Sequence, residues 1–165
     1  MRKACATIMD LLQFRAEERP DAPAIHALAH DPLTYAALLE LVRETESALE
    51  AFGCVPQDRI AVVMRNGPEM ATACLAISAV AVCVPLNPDY TEQELGTLMH
   101  RLGVTRVLAS PDQSAAIDAA DRLRLPVNQI RSAEGGSAGC FFLDGASDEI
   151  QIEASTGARA PTAAP

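Results

Sequence analysis

The stretch Val82-Cys83-Val84-Pro85-Leu86-Asn87-Pro88-Asp89-Tyr90-Thr91 decides the fold. A short apolar run, Val80 to Val84, stops at Pro85, whose ring fixes φ. Two prolines bracket Leu86-Asn87, and Thr91 then opens a helix. Thr91 and Glu94 form Thr-x-x-Glu, in which hydroxyl and carboxylate satisfy orphan amides of a first helical turn. The stretch predicts a buried strand that leaves a sheet through a rigid turn into a helix. It is expected at the centre of that sheet.

The same grammar occurs on both sides. Ile60 to Met64 is an almost wholly apolar run, as suits a strand covered on both faces. Arg65-Asn66-Gly67 makes its turn, and Pro68 sits at a first helical position. That helix continues through Met70, Ala73, Cys74, Ile77 and Ser78. After Thr91, Leu95, Leu98, Met99 and Leu102 give an amphipathic helix that Gly103 ends. Val104 to Ala109 is the next strand. Ser110, Pro111 and Gln113 open a helix through Ile117, Ala120 and Leu123, and Pro126 to Ile130 is a last strand. Strands thus alternate with helices between Ile60 and Ile130, joined by connections too long for hairpins. The fold class this predicts is α/β, with a parallel sheet covered by helices on both faces.

Upstream, a small helix and a hairpin are expected. Thr7 caps a helix with Asp10 three residues on, and its apolar positions are Ile8, Leu11, Leu12 and the stem of Arg15. Pro20 ends it. Ala24 to Ala29 and Leu33 to Tyr35 read as a hairpin around His30-Asp31-Pro32. Thr34 then caps the clearest helix, with an apolar stripe of Leu38, Leu41, Val42, Thr45, Ala48, Leu49 and Phe52. Gly53 supplies its left-handed end.

Residues 1–131 are therefore expected to form one α/β subdomain, and residues 132–165 a flexible linker-like tail with a short strand at 140–143. Ser132 to Gly139 is rich in glycine, serine and alanine. From Ala154 onward no apolar period remains, and the stretch reads as disordered.

Composition bounds the function. The chain has 165 residues, 49% of them hydrophobic, with 4% aromatics and no tryptophan. Its core must come from Ala, Leu, Val and Ile. The net charge of -9, with Lys3 the one lysine, argues against nucleic acid as a partner. No apolar run is long enough to cross a bilayer, and the start lacks a signal-peptide core, so no membrane partner and a cytoplasmic location are expected. Cys5, Cys54, Cys74, Cys83 and Cys140 have no metal-knuckle spacing and read as reduced core thiols.

Chemistry-bearing residues are few. No Gly-x-x-x-x-Gly-Lys-Ser/Thr loop and no Gly-x-Gly-x-x-Gly turn is present. His26, His30 and His100 have no neighbouring ligand set. Asp118 and Asp121 lie on an exposed helix face. Arg65-Asn66-Gly67-Pro68-Glu69 follows a strand, where open α/β sheets place ligands and a helix N-terminus attracts anions; the alternative is a simple turn. Asn87-Pro88-Asp89-Tyr90 carries the same two readings.

Three segments in order resemble adenylate-forming (AMP-binding) enzymes. Leu33-Thr34-Tyr35-Ala36-Ala37-Leu38 is similar to their Leu-Thr-Tyr-x-Glu-Leu motif, with Ala37 where glutamate is usual. Asp58 to Glu69 resembles the next block. Ala79-Val80-Ala81-Val82-Cys83-Val84-Pro85-Leu86-Asn87-Pro88 resembles the Ala-Gly-Ala-x-x-x-Pro-Leu-Asn-Pro segment, without its glycine. The wording of the last is nearer acid–CoA ligases of the oxalate–CoA ligase type than peptide synthetases. The resemblance covers roughly Ile8 to Ile130. It implies the N-terminal portion of an enzyme that uses ATP and magnesium to make an acyl-adenylate, then transfers the acyl group to coenzyme A. The family's glycine-rich loop ending in Pro-Lys-Gly has only a faint echo, Ser155-Thr156-Gly157. No catalytic, cofactor-binding or metal-binding residue is therefore assigned, and the chain is expected to be inactive alone. The alternative is a non-catalytic interaction module, or truncated homologue, that associates with another chain through an exposed sheet edge.

Overall fold

The computed structural model describes residues 6–133 and 135–144. Helix α1 (Ile8–Glu18) begins as its sequence dictates: the Thr7 hydroxyl accepts from the Asp10 amide at 3.0 Å, and the Asp10 carboxylate accepts from the Thr7 amide at 3.1 Å. Its inward face is Ile8, Met9, Leu12 and Ala16. Leu11, expected inside, is 46% exposed, because only a narrow strip of so short a surface helix meets its neighbours.

Strands β1 (Pro23–Ile25) and β2 (Leu33–Thr34) pair antiparallel. The hairpin is shorter than its apolar runs suggest. Leu28 is 97% exposed and Tyr35 already belongs to helix α2 (Tyr35–Ala51). The Thr34 hydroxyl caps α2 by accepting from the Ala37 amide at 3.2 Å. The expected stripe is buried from Leu38 to Leu49, with Leu39 added.

A five-stranded sheet follows, in the order β4-β3-β5-β6-β7. Its strands are β3 (Arg59–Val63), β4 (Val82–Pro85), β5 (Arg106–Ala109), β6 (Val127–Ser132) and β7 (Phe141–Leu143). The first four run parallel, and β7 lies antiparallel to β6. Helices α3 (Pro68–Val80), α4 (Glu92–Leu102) and α5 (Ser114–Arg122) are the crossovers. Strand alternation divides the core in two. Ile60 and Val62 face α1, α2 and α3, while Ala61 and Val63 face α4 and α5. The sheet is thus covered on both faces by apolar side chains of modest size, each worth roughly 1.5–3 kcal/mol when fully buried.

The opening stretch is corrected in two ways. Val80 belongs to α3, which ends when the Ala81 amide donates to the Ile77 carbonyl at 2.7 Å. An apolar run does not distinguish a helix end from a strand start. Secondly, β4 lies at the edge of the sheet and not at its centre: among the described residues it pairs with β3 alone, and Val82 is 39% exposed. The Val82 amide donates to Asp58 and the Leu86 amide to Val62. The backbone nitrogens of Cys83 and Pro85 therefore lie on the side away from β3, and Pro85, with no N–H, leaves that edge short of a donor. The Thr91–Glu94 box forms as expected, with the Thr91 amide donating to the Glu94 carboxylate at 2.9 Å.

Two further differences concern the ends of elements. Helix α5 starts at Gln113 without a side-chain cap; the Ser110 amide instead donates to the Val63 carbonyl. The boundary drawn at 131 falls inside β6. Beyond it Phe141 is 1% exposed in the core beneath α2 and α3, and the described part of 132–144 joins the same sheet. The expected disordered stretch from Ala154, the Ser155-Thr156-Gly157 echo, Lys3 and Cys5 lie outside the described residues.

Candidate functional site

The chain leaves β3 through Arg65-Asn66-Gly67 toward α3 on one face. It leaves the neighbouring strand β5 through Ser110-Pro111-Asp112 toward α5 on the other. Adjacent strands whose connections depart in opposite directions define the switch point of an open α/β sheet, where such folds place ligands. Here the Arg65 Nε lies 3.7 Å from the Asp112 Oδ2, with both side chains more than half exposed. Gly67 caps α3 with no side-chain hydrogen bond. The crevice thus offers a cation, a carboxylate and a helix N-terminus. It can orient a polar group.

The Asn87 turn is occupied with its own structure. Asn87 Oδ1 accepts from the Asp89 amide at 3.0 Å, and Leu86 is buried beneath it. His26, His30 and His100 are all exposed. His30 Nδ1 lies 3.5 Å from the Gly136 carbonyl. Among the described residues, no three His, Cys, Asp or Glu side chains converge where a metal ion could be held. The magnesium implied by the family resemblance finds no donor set here. Cys54, Cys74, Cys83 and Cys140 are free thiols.

Two polar features escaped the sequence. Residues 135–140 form a strap across the first turns of α3. The Thr72 hydroxyl donates to the Gly139 carbonyl at 2.5 Å, and the Ala138 amide donates to the Asp31 carbonyl at 2.8 Å. The second feature surrounds Arg106 at the amino-terminal end of β5, opposite the switch point. Its Nη2 donates to the Phe52 carbonyl at 2.8 Å, its guanidinium lies 5.4 Å from the Phe52 ring centre, and its Nη1 donates to Asn128 Oδ1. Asn128 in turn donates to the Asp144 carbonyl at 3.1 Å. Burial pushes the Cys54 thiol up, although the neighbouring Arg106 charge pulls it down. This network ties α2, β5, β6 and the end of β7 together. A buried asparagine inside the Val127-Asn128-Gln129-Ile130 strand was its one sequence signal.

A doubly wound parallel sheet with an antiparallel edge strand and an open switch point is an α/β architecture that many unrelated functions share, and comparison with known proteins gives the class. The chain belongs to the AMP-binding enzyme family, whose model matches residues 12–158. It is 32% identical over 164 residues to a methyl-dioxo-octahydro-indenyl-propanoyl:CoA ligase of Mycobacterium tuberculosis, covering 94% of this chain and 32% of that protein. It is 34% identical over 110 residues to the nonribosomal peptide synthetase ungA of Aspergillus violaceofuscus, covering 66% of this chain and 1% of that protein. Among solved structures, apo MatB from Rhodopseudomonas palustris superposes with a TM-score of 0.68 at 25% identity, over 82% of this chain and 27% of that chain. The chain therefore spans about a third or less of the relatives it matches. Among the described residues no helix is long and apolar enough to cross a membrane.

Proposed function

We propose that these residues are the N-terminal subdomain of an ATP-dependent carboxylic acid–CoA ligase of the cytoplasm, and that they do not catalyse by themselves. In the whole enzyme ATP supplies the adenylyl group that activates the acid, and coenzyme A accepts the acyl group. This chain's part is architectural. β3 and β5 hold the switch-point loops apart, and the buried faces of α2, α3, α4 and α5 fix the sheet to which the remainder is joined. Arg65 and Asp112 are placed to shape that edge, and no residue of the chain is given a catalytic role. The observation that supports this reading most is the match that runs through 94% of the chain yet reaches 32% of a CoA ligase.

The test is pyrophosphate release from ATP with a panel of carboxylates and coenzyme A. The whole gene product should turn over at least one acid to a thioester, and the 165-residue chain should turn over none. Turnover by the chain alone would overturn the architectural reading. Absence of turnover by the whole gene product with every acid would overturn the ligase. A second reading, association with another chain, draws on the open edge of β4 with Val82 exposed. Pro85 weakens it, and a concentration-independent monomer in sedimentation would remove it.

A further inference from the structure

Asn66 and Gly67 lie outside both β3, which ends at Val63, and α3, which begins at Pro68. Both are exposed. Gly67 is extended, with φ 176° and ψ -178°, and its carbonyl accepts from the Ala71 amide at 3.2 Å. That bond fixes the carbonyl side of the residue; among the described residues its amide donates to no acceptor. With no Cβ on Gly67, nothing on that residue crowds an approach to its nitrogen. A Cβ there would stand 3.3 Å from Glu69 Oε2, so a carboxylate already lies over this glycine.

We propose that Asn66 is a self-modifying site, at which the Gly67 nitrogen displaces ammonia from the side-chain amide and water then leaves an aspartyl or isoaspartyl residue in its place. The chain holds three asparagines, and the other two are closed to this chemistry. Asn87 precedes Pro88, whose nitrogen carries no proton to lose, and its Oδ1 is engaged by the Asp89 amide at 3.0 Å. Asn128 is buried in β6. Its Oδ1 accepts from Arg106, its Nδ2 donates to the Asp144 carbonyl at 3.1 Å, and Gln129 pairs with Ala109 of β5.

The step needs water alone. The Gly67 amide loses its proton, and its nitrogen attacks Asn66 Cγ. The nitrogen–Cγ bond forms, the Cγ–Nδ2 bond breaks, and ammonia leaves with the proton. The product is a cyclic succinimide, and nothing is oxidised or reduced. Water then opens the ring at either of its carbonyls. Opening at Cγ leaves an ordinary aspartyl residue. Opening at the main-chain carbonyl leaves an isoaspartyl residue, whose backbone is one carbon longer between β3 and α3. Either product adds a negative charge beside Arg65 at the amino end of α3, the positive end of its dipole. The switch-point crevice, where Arg65 faces Asp112, thereby gains a further carboxylate.

The experiment is incubation of the purified folded chain in mildly alkaline buffer, with samples digested at mildly acidic pH by a glutamate-specific protease and read by mass spectrometry. Cleavage after Glu50, Glu69, Glu92, Glu94 and Glu134 puts Asn66, Asn87 and Asn128 into separate peptides, 51–69, 70–92 and 95–134. The expected result is a growing share of peptide 51–69 with a carboxyl in place of the amide, split into two chromatographic forms, while the other two peptides stay unchanged. Gly67→Ala should slow the conversion roughly tenfold, the effect of about 1.4 kcal/mol on the ring-closing barrier. Alanine is tolerated there, since the extended backbone suits any residue and the Glu69 side chain can move. Free synthetic peptide 51–69, run alongside, gives the rate without the fold. The proposal is overturned if Asn66 stays intact in the folded chain over a time in which the free peptide converts. Equal conversion at Asn128, or an unchanged rate in Gly67→Ala, overturns it as well.

Discussion

Gly139→Ala probes the strap across α3. Gly139 has φ +85°, in the left-handed region. An alanine there costs about 1–2 kcal/mol in backbone strain. The added Cβ would stand 2.7 Å from Thr72 Cγ2 and 2.9 Å from the Pro68 carbonyl oxygen. The second of these is helix backbone and cannot rotate aside. Overpacking of this kind costs about 1–3 kcal/mol. If the strap retreats instead, the buried hydrogen bond from Thr72 to the Gly139 carbonyl is lost, at a cost of the same order. The expected destabilisation is about 2–5 kcal/mol, a large share of the roughly 5–15 kcal/mol of an ordinary domain. Urea unfolding followed by far-ultraviolet circular dichroism measures it, since the chain has no tryptophan to report fluorescence. Gly53→Ala is the control: φ is +79°, but a Cβ there meets nothing within 4 Å. It should cost only the strain. Equal destabilisation by the two substitutions would refute the steric reasoning.

Other expectations follow from the same contacts. Arg106→Leu strips donors from the Phe52 carbonyl and Asn128 and should cost about 1–3 kcal/mol in urea unfolding; a second substitution, Asn128→Leu, should recover part of that loss. The amide and hydroxyl of Thr91 hold the Glu94 carboxyl below the ordinary glutamate value. Its folded value lies below its unfolded one, so its contribution is present above the ordinary carboxylate range and is lost as pH falls through the folded value. Melting curves of wild type and Glu94→Gln should therefore differ at neutral pH and converge in acid. Glu44 has the opposite sign: burial first, then Glu40, raises its carboxyl, and its Oε2 has no hydrogen-bond partner. Folding favours its protonated form, so stability falls as pH rises from the ordinary carboxylate value through the raised one. Glu44→Gln should raise the melting midpoint at neutral pH and leave it unchanged in strong acid.

What the sequence disclosed depended on how local the cause was. Thr7–Asp10, Thr34 and Thr91–Glu94 act within one helical turn, so their caps could be read directly. The apolar runs around Ile60 and Val107 announced strands covered on two faces. The place of β4 could not be read in the same way, because strand order depends on which partners are adjacent in space. Val80 was ambiguous because a buried helix end and a buried strand have the same composition. The strap and the Arg106 network join residues more than 50 positions apart, as Thr72 does with Gly139 and Arg106 with Phe52. No spacing rule reaches so far. The Arg65 turn was legible as a candidate; its facing residue Asp112 emerged only when the sheet set β5 beside β3.

The most direct measurement of the architectural role is ATP–pyrophosphate exchange by the whole gene product carrying Arg65→Ala or Asp112→Ala. If the switch-point crevice shapes the sheet without joining the chemistry, each variant should keep its exchange rate within about twofold of wild type. Loss of one acid–base or charge-stabilising group from reacting atoms costs roughly a hundredfold or more. A hundredfold fall in a variant that still melts like wild type would contradict the assignment and place these residues in the active site.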